Sequence, residues 1–298
     1  MLWERAKAGG VLELGDLSTT WRKLDRVFEI ARQVSSARDS RLFDGRGMDE
    51  SRPGGHRLYA LAERYLDAAQ DCHEALPRLL QAHGATQTAM WCLVRGQFEA
   101  SFYALWLLSP RDSATRVLRG IQLEWLDDAS TRRYAREVLL DGLTPIDDEL
   151  RKAELERHER LDREHAAVFA AECEALGSKM SRPLTVNLIE ELGGLDSRVI
   201  PGQRVLLRHT WRTLAGLQHG NTGALLRVSS KRKEGEGIGS VVLHLEPDDA
   251  AFQTLASTTA WLTVNALLSY MDKHQPANRQ AVYDLAEVGR IREEWSRL

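Results

Sequence analysis

The chain has 298 residues, of which 43% are hydrophobic and 28% charged, with 22 Gly and 8 Pro. That balance is typical of a globular protein and excludes collagen-like repeats, low-complexity sequence and wholesale disorder. Its 40 Lys and Arg nearly offset its 43 Asp and Glu, so any contact with nucleic acid or a membrane has to come from a local patch.

The cysteines and the N-terminal segment predict the compartment. None of Cys72, Cys92 and Cys173 forms a CxxC pair, which excludes a disulfide framework and a thiolate zinc site and favours a reducing cytoplasm. The N-terminal segment meets charge at Glu4 and has no uninterrupted apolar run behind it. We therefore expect neither a signal peptide nor a membrane-spanning helix, and no membrane contact.

The first predicted element is a helix over 16–37, where Trp21, Leu24 and Phe28 recur at helical spacing. Residues 38–55 hold five glycines or prolines without any period, which predicts an exposed, flexible linker. The sequence thus predicts an N-terminal helix and linker over 1–55 and a main helical domain over 56–298.

From residue 56 onward the chain is predicted to be helix after helix, because apolar residues recur at helical spacing between Gly and Pro stops. The predicted helices cover 56–82, 86–108, 113–141, 145–177, 184–192, 202–219, 247–273 and 277–297. One segment departs from this pattern: 226–246 has strand composition at 241–245, which indicates a short β-hairpin or a loop insertion. The expected fold is all-α, an irregular bundle of eight to ten helices.

The predicted helix over 86–108 is apolar on nearly every side, so we expect it at the centre of the bundle. Its only charged residues are Arg95 and Glu99, one helical turn apart. A buried charge is tolerated when it is paired, so one interpretation is an ion pair that fixes helix register. The other is a polar pocket that holds a ligand.

A basic stripe runs along the predicted helix over 202–219. Its members share one face at offsets of four, four, three and four residues, and they are Arg204, Arg208, Arg212, Ala215 and His219. A second, more apolar stripe holds Leu207, Trp211, Leu214 and Gln218. Guanidinium groups suit phosphate, so the basic stripe indicates an anionic ligand; the alternative is an ordinary solvated face of an amphipathic helix.

Two phrases, VRGQFEASFYALWLLSP and WRTLAGLQHGNTGAL, resemble HEPN-type helical proteins of bacteria, and the likeness covers about residues 85–225. Arg212 and His219 fit the family's signature of Arg, four to six residues, then His. The resemblance implies a metal-independent ribonuclease in which two subunits bring these groups together. His219 would be the general base or acid on an RNA 2′-hydroxyl, and Arg212 would hold the phosphate.

Spacing alone does not single out this pair, since five Arg-His pairs of permitted spacing occur in the chain. The other four are Arg78/His83, Arg151/His158, Arg160/His165 and Arg204/His209. Context favours Arg212 and His219, because His219 ends a predicted helix just before a basic segment, Lys231, Arg232 and Lys233, that could grip a phosphate backbone.

A metal site and a bound cofactor are not predicted. Glu154, His158, Asp162 and His165 recur at helical spacing, but the surrounding segment is so rich in charge that a solvated helix with i,i+4 pairs explains them better. The common nucleotide and hydrolase signatures are missing from the sequence.

Two functions therefore stay open. One is a metal-independent endoribonuclease of the toxin or defence type, acting as a homodimer through Arg212 and His219, with Arg204, Arg208 and the basic segment binding phosphate. The alternative is a non-catalytic helical module that binds a nucleotide, RNA or a protein partner near Arg95 and Glu99 or on the basic stripe. Accessible Arg212 and His219 would favour the first, and a buried His219 the second.

Overall fold

The computed structural model describes residues 15–36, 44–86, 88–141, 147–180, 186–195, 203–237, 240–274 and 286–291. The all-α prediction is confirmed, and the helices form a bundle. They are α1 (Gly15–Ser36), α2 (Gly45–Glu50), α3 (Gly55–His83), α4 (Ala89–Leu108), α5 (Ser113–Leu140), α6 (Asp148–Ala175), α7 (Leu188–Gly194), α8 (Arg204–Gln218), α9 (Thr222–Arg227) and α10 (Asp249–Met271). Residues 286–291 are also helical.

The described residues thus hold eleven helices, one more than the upper bound of eight to ten. Nine of the eleven correspond to the helices located in the sequence, and the other two are short: α2 and α9 contain six residues each. A single turn and a half of helix cannot display a hydrophobic period, so sequence pattern does not reveal it. Both begin at a capping side chain, Asp44 for α2 and Asn221 for α9, each of which accepts a backbone N–H three residues on.

Two segments, 229–237 and 240–247, are extended rather than helical. Strand β1 (Ser229–Gly237) pairs antiparallel with β2 (Ser240–Pro247), and Ser229 faces Pro247 across the pair. The register shifts between Lys233 and Gly235. None of the described helices is long and apolar enough to span a bilayer.

The packing divides the chain into two compact units, each built from separated segments. Unit 1 comprises 1–41, 62–109 and 189–298, and unit 2 comprises 42–61 and 110–188. The predicted boundary at 55/56 coincides with neither edge of the first segment of unit 2.

The core of unit 1 is formed by α4 and α10, which pack on each other, while α10 also packs on α1 and α4 on α8. Both α4 and α10 are apolar on nearly all sides, and α4 buries thirteen of its twenty residues, as its pattern predicts. One group of polar side chains inside this core is paired: the Gln97 amide and the Ser101 hydroxyl both hydrogen-bond to the Thr263 hydroxyl.

Unit 2 contains a fully buried ion pair that corrects the linker prediction. Asp49 of α2 has no exposed surface, and Arg116 of α5 donates to it from Nε and Nη2 over 2.9 and 2.7 Å. The Tyr59 hydroxyl also donates to Asp49, over 2.9 Å, and burial raises the pKa of that phenol well above its usual range. Residues 44–55 are therefore not an exposed linker, because this carboxylate anchors α2 within unit 2; residues 38–43 lie outside the described part of the chain.

Candidate nucleic-acid interface

Helix α8 is amphipathic, and its two faces are formed by different residue types. One face packs against the rest of unit 1 and buries Leu207, Thr210, Thr213, Leu214 and Leu217. The stripe Arg204, Arg208, Arg212, Ala215 and His219 lies on the outer side, where its members are half-buried or exposed. A single apolar face with an opposite basic face is what a helix of this pattern forms when it packs on a larger core.

The Arg95 and Glu99 pair fastens α8 to the central helix α4. The Arg95 Nε donates to Glu99 Oε1 over 2.8 Å, and Arg95 Nη1 donates to the side-chain oxygen of Gln218. The Trp211 indole N–H donates to the same Glu99 oxygen over 3.2 Å. The two charges are thus paired as expected.

The expectation that this pair is buried is wrong in degree, because the side chains are 15% and 31% exposed. Arg95 and Glu99 lie where α8 meets α4, at the edge of the core, and they are bonded to each other and to α8. These bonds favour the interpretation as an ion pair that fixes the position of a helix over the interpretation as a ligand pocket.

The four basic side chains of the stripe have different surroundings. Arg204 is half-buried and donates to the Leu195 carbonyl over 3.0 Å, and Arg208 is half-buried too. The Arg212 and His219 side chains are exposed, and neither side chain makes a hydrogen bond or ion pair with another residue that the structure describes. The two residues implied by the HEPN resemblance are therefore the accessible end of the stripe.

The end of α8 is fixed by a glycine turn. His219 is its C-cap residue, and Gly220 follows at φ +65, a left-handed conformation that a Cβ would strain. The Asn221 N–H donates to the Gly216 carbonyl over 2.8 Å, and its side chain then caps α9. This turn holds the His219 backbone in one place while its ring stays in solvent.

Six residues lie between Arg212 and His219, so the two positions are seven apart, which in a helix is almost two full turns. Their side chains therefore leave α8 on the same face, but about 10.5 Å apart along its axis. Helical side chains lean toward the N-terminus, so the Arg212 side chain leans away from His219. Within one chain, the two side chains thus leave α8 at two separate points on the same face.

The basic segment lies on β1, where Lys231, Arg232 and Lys233 face Leu245, His244 and Leu243 across the strand pair. Their side chains lie outside the described part of the structure. Their role in phosphate binding stays a prediction.

Two of the α6 residues considered as metal ligands, Asp162 and His165, form ion pairs instead. Asp162 binds Arg132 over 2.6 Å and Arg136 over 3.0 Å, and His165 lies 3.4 Å from Asp128. Within the described ranges, no three side chains of the metal-ligating types converge on one point.

The contacts that hold α8 on α4 were not predicted. Trp211 and Gln218 fall on the more apolar stripe of α8, but their side chains bond to Glu99 and Arg95, more than a hundred residues earlier in the chain. The indole N–H is a signal in itself, because a tryptophan against a helix surface usually finds an acceptor.

Comparison of the chain with protein-family models, with curated proteins and with solved structures finds no match.

Proposed function

We propose that the protein binds RNA on the outer face of α8 and cleaves it without metal, using His219 and Arg212. The observation that carries this proposal is that both side chains are exposed on one helix face and bonded to no other described residue. A functional Arg or His has to be available to a ligand, whereas a structural one would be expected to have a protein partner.

The proposed reaction is an internal transesterification. His219 takes the proton of an RNA 2′-hydroxyl, whose oxygen attacks the neighbouring phosphorus as the bond to the 5′-oxygen breaks. The leaving 5′-oxygen receives a proton from water, and His219 returns the proton that it took to the solvent. The products are a 2′,3′-cyclic phosphate and a free 5′-hydroxyl. Arg212 stabilises the negative charge that grows on the phosphorane oxygens. Arg204, Arg208, Lys231, Arg232 and Lys233 would bind flanking phosphates, which fixes the strand but does not read its bases.

The test is incubation of the purified protein with structured and unstructured RNA in chelator, with mapping of cyclic-phosphate ends. His219→Ala is expected to lose activity about a hundredfold to ten-thousandfold, because the proton acceptor is gone. Arg212→Ala removes one charged donor to the transition state and should cost about 2 to 4 kcal/mol in activation free energy.

Matched controls come from another Arg-His pair of permitted spacing. Arg160 and His165 are also exposed on a helix, α6, and their Ala variants should cleave like the unchanged protein. No cleavage by the unchanged protein, or full activity in His219→Ala, would contradict catalysis. Salt-dependent RNA binding without cleavage would instead identify the alternative, a non-catalytic RNA-binding module.

The separation of Arg212 from His219 along α8 leads us to propose a homodimer with composite sites, in which the Arg212 of one chain serves the His219 of the other. Mixing the two inactive variants tests this directly. In a hybrid dimer one site has both residues intact, so random exchange should restore about a quarter of the full activity. Light scattering should report twice the chain mass of 33.6 kDa. A monomer at tens of micromolar protein, or a mixture that stays inactive, would contradict the composite site.

A further inference from the structure

A groove of about 270 Å³ lies in unit 1 where α8, the end of α9 and the first turns of α10 meet. Its wall is mostly apolar, and no carboxylate of the described residues lines it. The described residues around it include Leu206, His209 and Thr210 of α8, Arg227 and Val228 at the end of α9, and Leu255 of α10.

Several polar side chains of this groove have no partner among the described residues. Arg227 and His209 are exposed at its edge, and neither side chain bonds to another residue in the described part of the chain. Thr210 is fully buried, and its hydroxyl is left without a hydrogen-bond partner. An unpaired buried hydroxyl is unfavourable and uncommon, so its presence beside a groove needs an explanation.

The threonines of α10 show what Thr210 could have done instead. Each of four hydroxyls donates to the carbonyl four residues earlier over 2.7 to 2.9 Å; the residues are Thr254, Thr258, Thr259 and Thr263. Thr210 lies in a helix with an equivalent carbonyl at Leu206, yet does not use it. Its hydroxyl therefore remains available to another group.

The groove is separate from the basic stripe. At 100° per residue, the residues of α8 that line it, Leu206, His209, Thr210 and Thr213, lie on average about 130° around the helix from the line through Arg208, Arg212 and His219. A ligand in the groove would therefore leave the proposed RNA-binding face free.

We propose that this groove binds a small organic acid with an apolar body. The anionic group would pair with Arg227, with His209 beside it, and the apolar body would lie against Leu206, Val228 and Leu255. The Thr210 hydroxyl would donate to an acceptor on the ligand. This site does not depend on the ribonuclease proposal, because it uses none of the same residues.

The experiment is a ligand-observed NMR titration of the full chain with 2-naphthoate and with its neutral analogue 2-naphthylmethanol. Saturable one-to-one binding that prefers the acid is the expected result. Arg227→Gln should weaken naphthoate binding about tenfold to a hundredfold, the usual effect of losing a charged hydrogen bond, and leave the alcohol unchanged. Leu206→Glu places a like charge in the groove and should also weaken binding of the acid.

Thr210→Val keeps the side-chain shape and should weaken binding of either probe a few-fold. The matched control is Arg78→Gln on α3, whose side chain is 77% exposed; it should bind like the unchanged protein. Equal affinity for acid and alcohol, or an Arg227→Gln variant that still prefers the acid, would overturn the proposal. His219→Ala should bind naphthoate normally, which separates failure of this site from failure of the nuclease.

Discussion

At the scale of single residues, His73 shows how burial changes a titration. The ring is 1% exposed, lies near Trp21 and Phe28, and places Nε2 2.8 Å from Asp25 Oδ1. Loss of hydration lowers the pKa of His73 in the folded state, and the nearby Asp25 carboxylate only partly opposes this effect. The folded protein therefore resists protonation of a ring that the unfolded chain protonates readily.

This shift predicts how stability changes with pH. The ordinary His pKa is 6.5, so just below that value the unfolded chain binds more protons than the folded one, and stability falls as pH falls until the lowered folded pKa is reached. Urea unfolding should give a lower free energy at about pH 5.5 than at about pH 7.5, by up to about 1.4 kcal/mol from this group. His73→Gln removes the titration, so its stability should change less between the two pH values. An equal change in both proteins would contradict the assignment.

At the scale of helices, α6 and α10 differ in how much of each is buried. Helix α10 buries fifteen of its 23 residues, whereas α6 buries only Phe169 and Cys173 of 28, both near its C-terminal end. The remainder of α6 is held largely by ion pairs such as those of Asp162. Exposed pairs of this kind contribute little each, so local opening of α6 costs less free energy.

Hydrogen exchange should resolve this difference. Backbone amides over 148–164 are expected to exchange at least tenfold faster than those over 255–270, as measured by mass spectrometry of peptides. High salt should raise exchange in the first range, because it screens the ion pairs, and change the second less. Equal protection of both ranges would show that charge pairs hold α6 as firmly as apolar packing holds α10.

At the scale of the whole molecule, sequence pattern predicted what local chemistry decides. Helix positions follow from apolar spacing and from capping residues such as Asp112, Asp147 and Asp248, each of which accepts a first-turn N–H. The outward basic face of α8 was predictable for the same reason, because its period is a property of that segment alone.

What sequence could not predict depends on residues far apart in the chain. Asp49 is buried because Arg116 reaches it from 67 residues away, and α8 is fastened by Trp211 to Glu99 across 112 residues. The groove beside Thr210 likewise needs α8, α9 and α10 together. A single sequence carries no signal for such pairings, so the two units and the groove emerge only in three dimensions.

The place of α4 in the core has a consequence for synthesis on the ribosome. This apolar helix ends at Leu108, but its main partner α10 begins only at Asp249. At about 5 to 20 residues per second, roughly 10 to 30 s pass between completion of the two helices. For that interval the nascent chain carries a helix without its main covering surface, so a chain arrested before α10 would present α4 to chaperones, or to other arrested chains.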